Sequence, residues 1–216
     1  MPRPVSLQHF AVVDVETSGL SVRRHNVLQV GLVVVDGNGT VIDRWSSLIA
    51  PRCRFWYRVG PTKLHGIHRR DLRGAPSAGE VLAELARRMG DARFVAHNAQ
   101  FDRAFLSRVA GRAGVALPLD EPICTLQLSR ALDPQRQLSH RLADMCARYG
   151  VQVVRPHDAL ADADATAAAL PHLLRAHGIE HTDQLPTRSD QPLSDPSRPD
   201  ASRPDASRPD QSRIAS

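Results

Sequence analysis

The sequence predicts an α/β protein built on a mixed sheet flanked by helices, and two observations carry that expectation. Three β-type runs lie close together between residues 10 and 49, and from residue 77 onward helical apolar periodicity alternates with short apolar runs. Three meander strands followed by alternating α and β units put antiparallel and parallel pairs in one sheet, with helices packed against it.

Phe10 to Glu16 is an apolar β-type run. Asn26 to Asp36 (NVLQVGLVVVD) is a second, rich in valine and closed by a Gly37-Asn38-Gly39 turn, and Thr40 to Ile49 completes the meander. Residues 77–90 read as a helix with Ser77 as N-cap and Val81, Leu82, Leu85, Ala86 and Met89 on one face. Arg93 to His97 is a short buried strand, and Asn98 to Gly111 a helix presenting Phe101, Phe105 and Val109. Pro122 to Thr125 reads as a strand, followed by helices at 125–132 and 139–149 and a last helical stretch over 158–177, which Pro171 should kink or restart.

Composition changes near residue 183. Beyond it there is no glycine and no aromatic residue, and SRPDA repeats with a period of five from Ser197 and Ser202, with SRPDQ at Ser207. Prolines at 199, 204 and 209 forbid continuous helix, and too little apolar surface remains to offset ordering entropy. The chain therefore divides into a domain over residues 1–182 and a disordered low-complexity tail over 183–216. The tail has six Asp against five Arg, so residues 1–182 hold +6 of a chain whose formal net charge is +5. A basic domain suits polyanionic partners, although Lys63 is the only lysine among 28 basic residues, a bias that genome composition alone can produce. No apolar run approaches a membrane span, Asp14 and Glu16 interrupt the most apolar N-terminal stretch, and Cys53, Cys124 and Cys146 are widely spaced. These features point to a cytoplasmic protein with reduced thiols and no membrane association.

The chemistry begins on the first strand. Asp14 and Glu16 stand at i and i+2, so a strand places both carboxylates on one face, where they repel each other unless a cation compensates. An isolated pair of this kind is more often a solvated strand end. Its context is stronger: Thr17-Ser18-Gly19-Leu20 makes a tight turn beside it, and Ala96-His97-Asn98-Ala99-Gln100-Phe101-Asp102 turns a buried strand into a helix with an acid in its first turn. His157-Asp158-Ala159-Leu160-Ala161-Asp162-Ala163 follows later. Within one helix His157 and Asp162 would point about 140° apart, so they serve one site only if His157 lies on the loop before it, as Pro156 favours.

DVETSGL, AHNAQFD and HDALADA resemble the three motifs of the DEDDh group of 3′→5′ exonucleases, the DnaQ-like proofreading (epsilon) subunit family of bacterial DNA polymerase III. Lys63-Leu64-His65-Gly66-Ile67, with Asp71-Leu72 after it, matches the intermediate HGI segment of that family, and the resemblance spans about residues 8–177. It implies a ribonuclease H-like fold with a five-stranded mixed sheet. It also implies that Asp14, Glu16, Asp102 and Asp162 are metal-binding carboxylates and His157 the general base, with Thr17, Leu20, His65, Asn98 and Phe101 lining the substrate cleft. Four carboxylates form an all-oxygen site suited to two Mg²⁺ or Mn²⁺ ions. The ordinary pKa of a histidine, about 6.5, suits proton removal from water near neutral pH. Asp158 and Asp164 are out of register with the motif and read as solvated helix charges, and His97 as a satisfied buried residue.

The implied activity is hydrolysis of the 3′-terminal phosphodiester of DNA to 5′-mononucleotides in proofreading or repair, on a single-stranded 3′ end and with a DNA polymerase as candidate partner. RNA or short oligoribonucleotides are the alternative substrate, and a catalytically silent nucleic-acid-binding or polymerase-scaffold module the alternative class. Intact motif acids argue against the silent module. Arg52 to Arg58 gathers three of the nine aromatic residues between arginines, the composition of a stacking surface, but a loop that lays its aromatics on the core is the simpler expectation. Gln184-Leu185-Pro186 and Gln191-Pro192-Leu193 lack the apolar anchor of a clamp-binding peptide.

Overall fold

The computed structural model describes residues 2–52 and 57–187. Its sheet has five strands in the order β3-β2-β1-β4-β5: β1 His9–Thr17, β2 Val27–Asp36, β3 Val41–Leu48, β4 Arg93–Ala96 and β5 Ile123–Cys124. β1 pairs antiparallel with β2 and β2 with β3, whereas β4 lies parallel to β1 and β5 parallel to β4. This is the mixed sheet expected.

Alternation along β1 assigns its side chains to two layers. Ala11, Val13 and Val15 join one core with α2 (Ala78–Met89) and α3 (Ala99–Ala113). Phe10 and Val12 join the other, which Leu128 of α4 (Thr125–Ala131), Met145 and Cys146 of α5 (Leu142–Arg148) and the apolar side of α6 (Ala159–Ala176) complete. With both faces covered, β1 and β2 are apolar almost throughout, which is why they read as continuous runs.

α2 begins where its sequence predicts. Ser77 accepts from Glu80 N and the Glu80 carboxylate accepts from Ser77 N, a reciprocal capping box. One helix escapes the sequence reading: the single turn α1 (Thr62–His65), ended by Gly66 at φ 71°. Another reading needs correction. α6 does not restart at Pro171; it runs as one helix through it to Ala176. Pro171 is buried there, and packing against the sheet offsets the lost backbone hydrogen bond.

The two chain segments that flank the domain are joined to each other. Val5 N donates to Glu180 O, Thr182 N to Arg3 O, and Pro4 forms a bridge with His181. Past residue 182 the chain is still packed through Leu185, which is buried in the α4–α6 core, and Pro186 O accepts from the Arg93 guanidinium. Residues 188–216, the greater part of the expected tail, lie outside the described residues, as do Cys53, Arg54, Phe55 and Trp56 of the Arg52–Arg58 segment. No described helix is long and apolar enough to cross a membrane.

Candidate active site

Asp14 and Glu16 continue the side of β1 that carries Phe10 and Val12, the side α6 covers. The apolar stripe therefore ends in two acids, and the start of α6 closes over them. Gly31 of β2 stands opposite Asp14, and Gln29 opposite Glu16. A Cβ on Gly31 would lie 2.2 Å from Ala159 O and 2.5 Å from Leu160 N, so only glycine lets the first turn of α6 sit on the sheet here. Gln29 Oε1 accepts from Ala159 N at 3.5 Å on the same face. Past Glu16 the β1–β2 register shifts, a bulge that ends regular pairing beside the acids.

α6 starts at Ala159, so His157 lies on the preceding loop, with φ 67°. Its backbone N–H donates to Asp162 Oδ2 at 3.1 Å, which folds the loop back over the first helical turn. His157, Glu16 and Asp162 then each offer a ligand atom, all within 4.8 Å of one another. The geometric condition that the sequence set for His157 and Asp162 is met. Asp158 is not simply a solvated charge: it is the N-cap of α6, accepting from Ala161 N at 3.0 Å. Asp164 is partly exposed and pairs with Arg44 at 2.6 Å.

Asp102 reaches the same place from the opposite layer. β4 pairs with β1 through Phe10–Val12, and α3 begins three residues after β4 ends, with Asn98 at φ 70° as its N-cap. Asp102, in the first turn, accepts from Val15 N at 3.1 Å, on the peptide between the two β1 acids. Asp14, Glu16, Asp102 and Asp162 are 7%, 6%, 0% and 8% exposed, a density of buried carboxylate that a divalent cation would compensate. Asp14 Oδ2 and Asp102 Oδ2 are buried, and neither atom accepts a hydrogen bond among the described residues. The donor set, carboxylate oxygens with one imidazole, fits Mg²⁺ or Mn²⁺. Cys146, packed near Asp162, does not join it: burial and then the Asp162 charge push its thiol up to about 12, and it donates to Ala165 O.

The residues expected to contact substrate divide into three groups. Thr17 is buried at the end of β1, its hydroxyl donating to Gly19 O, and Leu20 is half exposed on the turn beyond. Asn98 and Phe101 are partly buried at the start of α3, where the Phe101 ring lies 4.8 Å from that of Phe105. His65 is differently placed: Ile67 N–H donates to its Nδ1, so Nε2 carries the proton and donates to Val59 O. Both ring nitrogens serve their own loop. Desolvation by burial, and then the nearby His68, lower its pKa.

Sequence reasoning missed Gly31 and Gln29; the signal for Gly31 was a lone glycine inside a valine-rich strand. It also missed a polar network behind the site. His97 Nδ1 meets Thr125 Oγ1 and its Nε2 meets His140 O, satisfying the ring as expected. His140 in turn binds Ser129 Oγ at 2.9 Å and Asp133 Oδ2 at 3.2 Å, and Arg148 donates to Ser129 Oγ.

Residues 11–170 match the RNase_T family, described as "Exonuclease". Among curated proteins, the chain is 34% identical over 186 residues to the DNA polymerase III PolC-type of Bacillus cereus, covering 85% of this chain and 13% of that protein. It is 36% identical over 160 residues to the Staphylococcus aureus protein of the same name, covering 73% and 11%. The chain thus spans about an eighth of the length of these relatives. Two solved structures share the fold. Escherichia coli exonuclease I in complex with a dT13 oligonucleotide has a TM-score of 0.67 at 19% identity, over 77% of this chain and 41% of that one. The nuclease domain of 3′hExo, a DEDDh family member bound to rAMP, has a TM-score of 0.68 at 15% identity, over 81% and 95%. With a match that spans most of the domain and brackets every acid described above, the chain belongs to the exonuclease family.

Proposed function

We propose that the protein is a divalent-metal-dependent 3′→5′ exonuclease of the DEDDh type that releases nucleoside 5′-monophosphates from single-stranded DNA ends, in proofreading or repair. The observation that carries this reading is the meeting of His157, Glu16 and Asp162 within 4.8 Å, with Asp14 on the adjoining stretch of β1 and Asp102 of α3 tied to that stretch through Val15 N. The preference for DNA rests on the 34% identity to DNA polymerase III proteins. A DNA polymerase is the partner this implies, and the cytoplasm the compartment.

Asp14, Glu16, Asp102 and Asp162 would hold two metal ions, which when bound supply Lewis-acid stabilisation of the attacking and leaving oxygens. His157 accepts the proton of the attacking water, its loop position bringing a ring nitrogen within 4.8 Å of Glu16 and Asp162. Asp162 also accepts from the His157 backbone, so one carboxylate orients the base as well as binding metal. Asp102, fixed by Val15 N–H, holds α3 in register with the β1 acids. Thr17 and Leu20 on the turn, and Asn98 and Phe101 at the start of α3, flank the position of the terminal nucleotide.

The test is Mg²⁺-dependent digestion of matched 5′-labelled DNA and RNA single strands by wild type, Asp14→Ala and His157→Ala. Stepwise shortening of DNA from the 3′ end, lost in both variants, is expected. Equal inertness of all three proteins across divalent metals would overturn the enzyme reading in favour of a silent binding module. Faster degradation of RNA would overturn the DNA preference alone.

A further inference from the structure

The charge of the domain is not spread over it. The 27 residues from Ala50 to Pro76 contain seven basic residues (Arg52, Arg54, Arg58, Lys63, Arg69, Arg70 and Arg73) and one acid, Asp71. This net of +6 equals that of residues 1–182 as a whole, so the remainder of the domain is neutral in sum. The described cations of the segment are all exposed, and Arg52, Arg58, Lys63 and Arg73 take part in no ion pair among the described residues.

The described part of the segment over residues 57–76 lies between β3 and α2, seated at the acidic end of β1. A Cβ on Gly60 would lie 2.3 Å from Ser18 O, two residues beyond Glu16. Ile67 and Leu72 pack on Leu28 of β2, and the neighbouring Val27 pairs with Thr17. Beside this seat opens a cleft of about 430 Å³ whose lining includes Tyr57, Arg69, Leu72 and Arg73. The Arg69 guanidinium lies 4.6 Å over the Tyr57 ring and donates to Tyr57 O at 2.8 Å, holding a planar cation and an aromatic edge together at the cleft.

We infer that residues 57–76 of this segment are the seat of the phosphodiester backbone 5′ of the reacting end, with Arg58, Lys63, Arg69 and Arg73 facing successive phosphates. This rests on the nuclease reading above. A cationic surface beside an acidic centre resolves the electrostatic conflict of the site: it attracts the strand while the carboxylates alone would repel it. Because the contacts are to phosphate, the surface holds single strands with little regard to base sequence.

Anisotropy of a fluorescent oligothymidylate of about a dozen nucleotides is titrated in EDTA from about 50 to about 300 mM salt. The proteins are wild type, Arg58→Gln/Arg73→Gln, the charge-keeping Arg58→Lys/Arg73→Lys, and Arg44→Gln/Arg87→Gln as a control elsewhere on the surface. Each phosphate neutralised by a single-strand binder contributes about −0.7 to the log–log salt slope, so the first double variant should flatten it by about 1.4. The lysine variant and the control should keep the wild-type slope. An unchanged slope in the first variant, or equal flattening in the control, overturns the inference. Wild-type digestion of the same probe in Mg²⁺ separates the two readings. Active digestion with an unchanged variant slope removes the surface and keeps the nuclease, whereas a flattened variant slope beside a wild type that digests nothing does the reverse.

Discussion

Gly31 and Ala159 are in backbone contact: the hydrogen that glycine carries in place of a Cβ points at the Ala159 carbonyl, 2.2 Å from where a methyl carbon would sit. Through that contact β2 sets the height of the first turn of α6, and hence the position of Asp162 relative to Glu16. Gly31→Ala should lift the turn, costing about 1–3 kcal/mol of stability by overpacking. Nuclease turnover should fall further than the fraction folded, since the acids are pulled apart even in molecules that remain native. A variant with wild-type turnover and melting midpoint would remove this role.

Asp102 has two separable tasks. As an acceptor it satisfies the buried Val15 N–H, and as an anion it would be a ligand of the proposed metal site. Asp102→Ala leaves that N–H without its acceptor, an expected loss of about 1–3 kcal/mol, or roughly 2–4 °C of melting midpoint per kcal/mol. Asp102→Asn keeps an acceptor oxygen and should melt close to wild type. Both variants should lose the rise in melting midpoint that Mn²⁺ gives the wild type. Retention of that rise in Asp102→Asn would exclude Asp102 as a ligand.

His65 makes stability depend on pH with a definite sign. Burial lowers its folded pKa below the ordinary 6.5, so as pH falls past that value the unfolded chain takes up the proton first. Stability is therefore retained above 6.5 and lost progressively below it. His65→Gln should flatten the dependence of melting midpoint on pH between about 7 and about 5. Parallel curves for variant and wild type would show that the ring is not held neutral.

The two described cysteines should be inert in the native protein. Cys124 and Cys146 are separate buried thiols, and burial raises both, Cys146 to about 12. In a Cys53→Ser background, a disulfide reagent such as dithionitrobenzoate should find no rapidly reacting thiol until denaturant is added, and then two. Fast reaction of either thiol in the folded state would contradict this.

The sequence exposed what is written locally. The β-type runs, the Ser77 cap and the order of the acids depend on neighbours within a few residues, and each lies close to where pattern placed it. Gly31 was visible as an oddity, but its meaning depends on Ala159, a residue 128 positions away. Separation in sequence also hid the tie between Asp102 and Val15, 87 positions apart, and that between His97 and His140, 43 apart. Pro171 misled for a related reason. Its local rule is to break a helix, and burial of α6 against the sheet overrides it.

The pairing of residues 3–5 with residues 180–182 has its own consequence. It fastens both flanks of the domain near the His9 end of β1, while Glu16 stands seven residues along the strand, about 23 Å away at about 3.3 Å per residue. A longer polypeptide spliced onto either flank would leave side by side and from the far pole. The nuclease unit is thereby portable: it can be inserted into a larger chain, or joined to one, with its cleft facing outward.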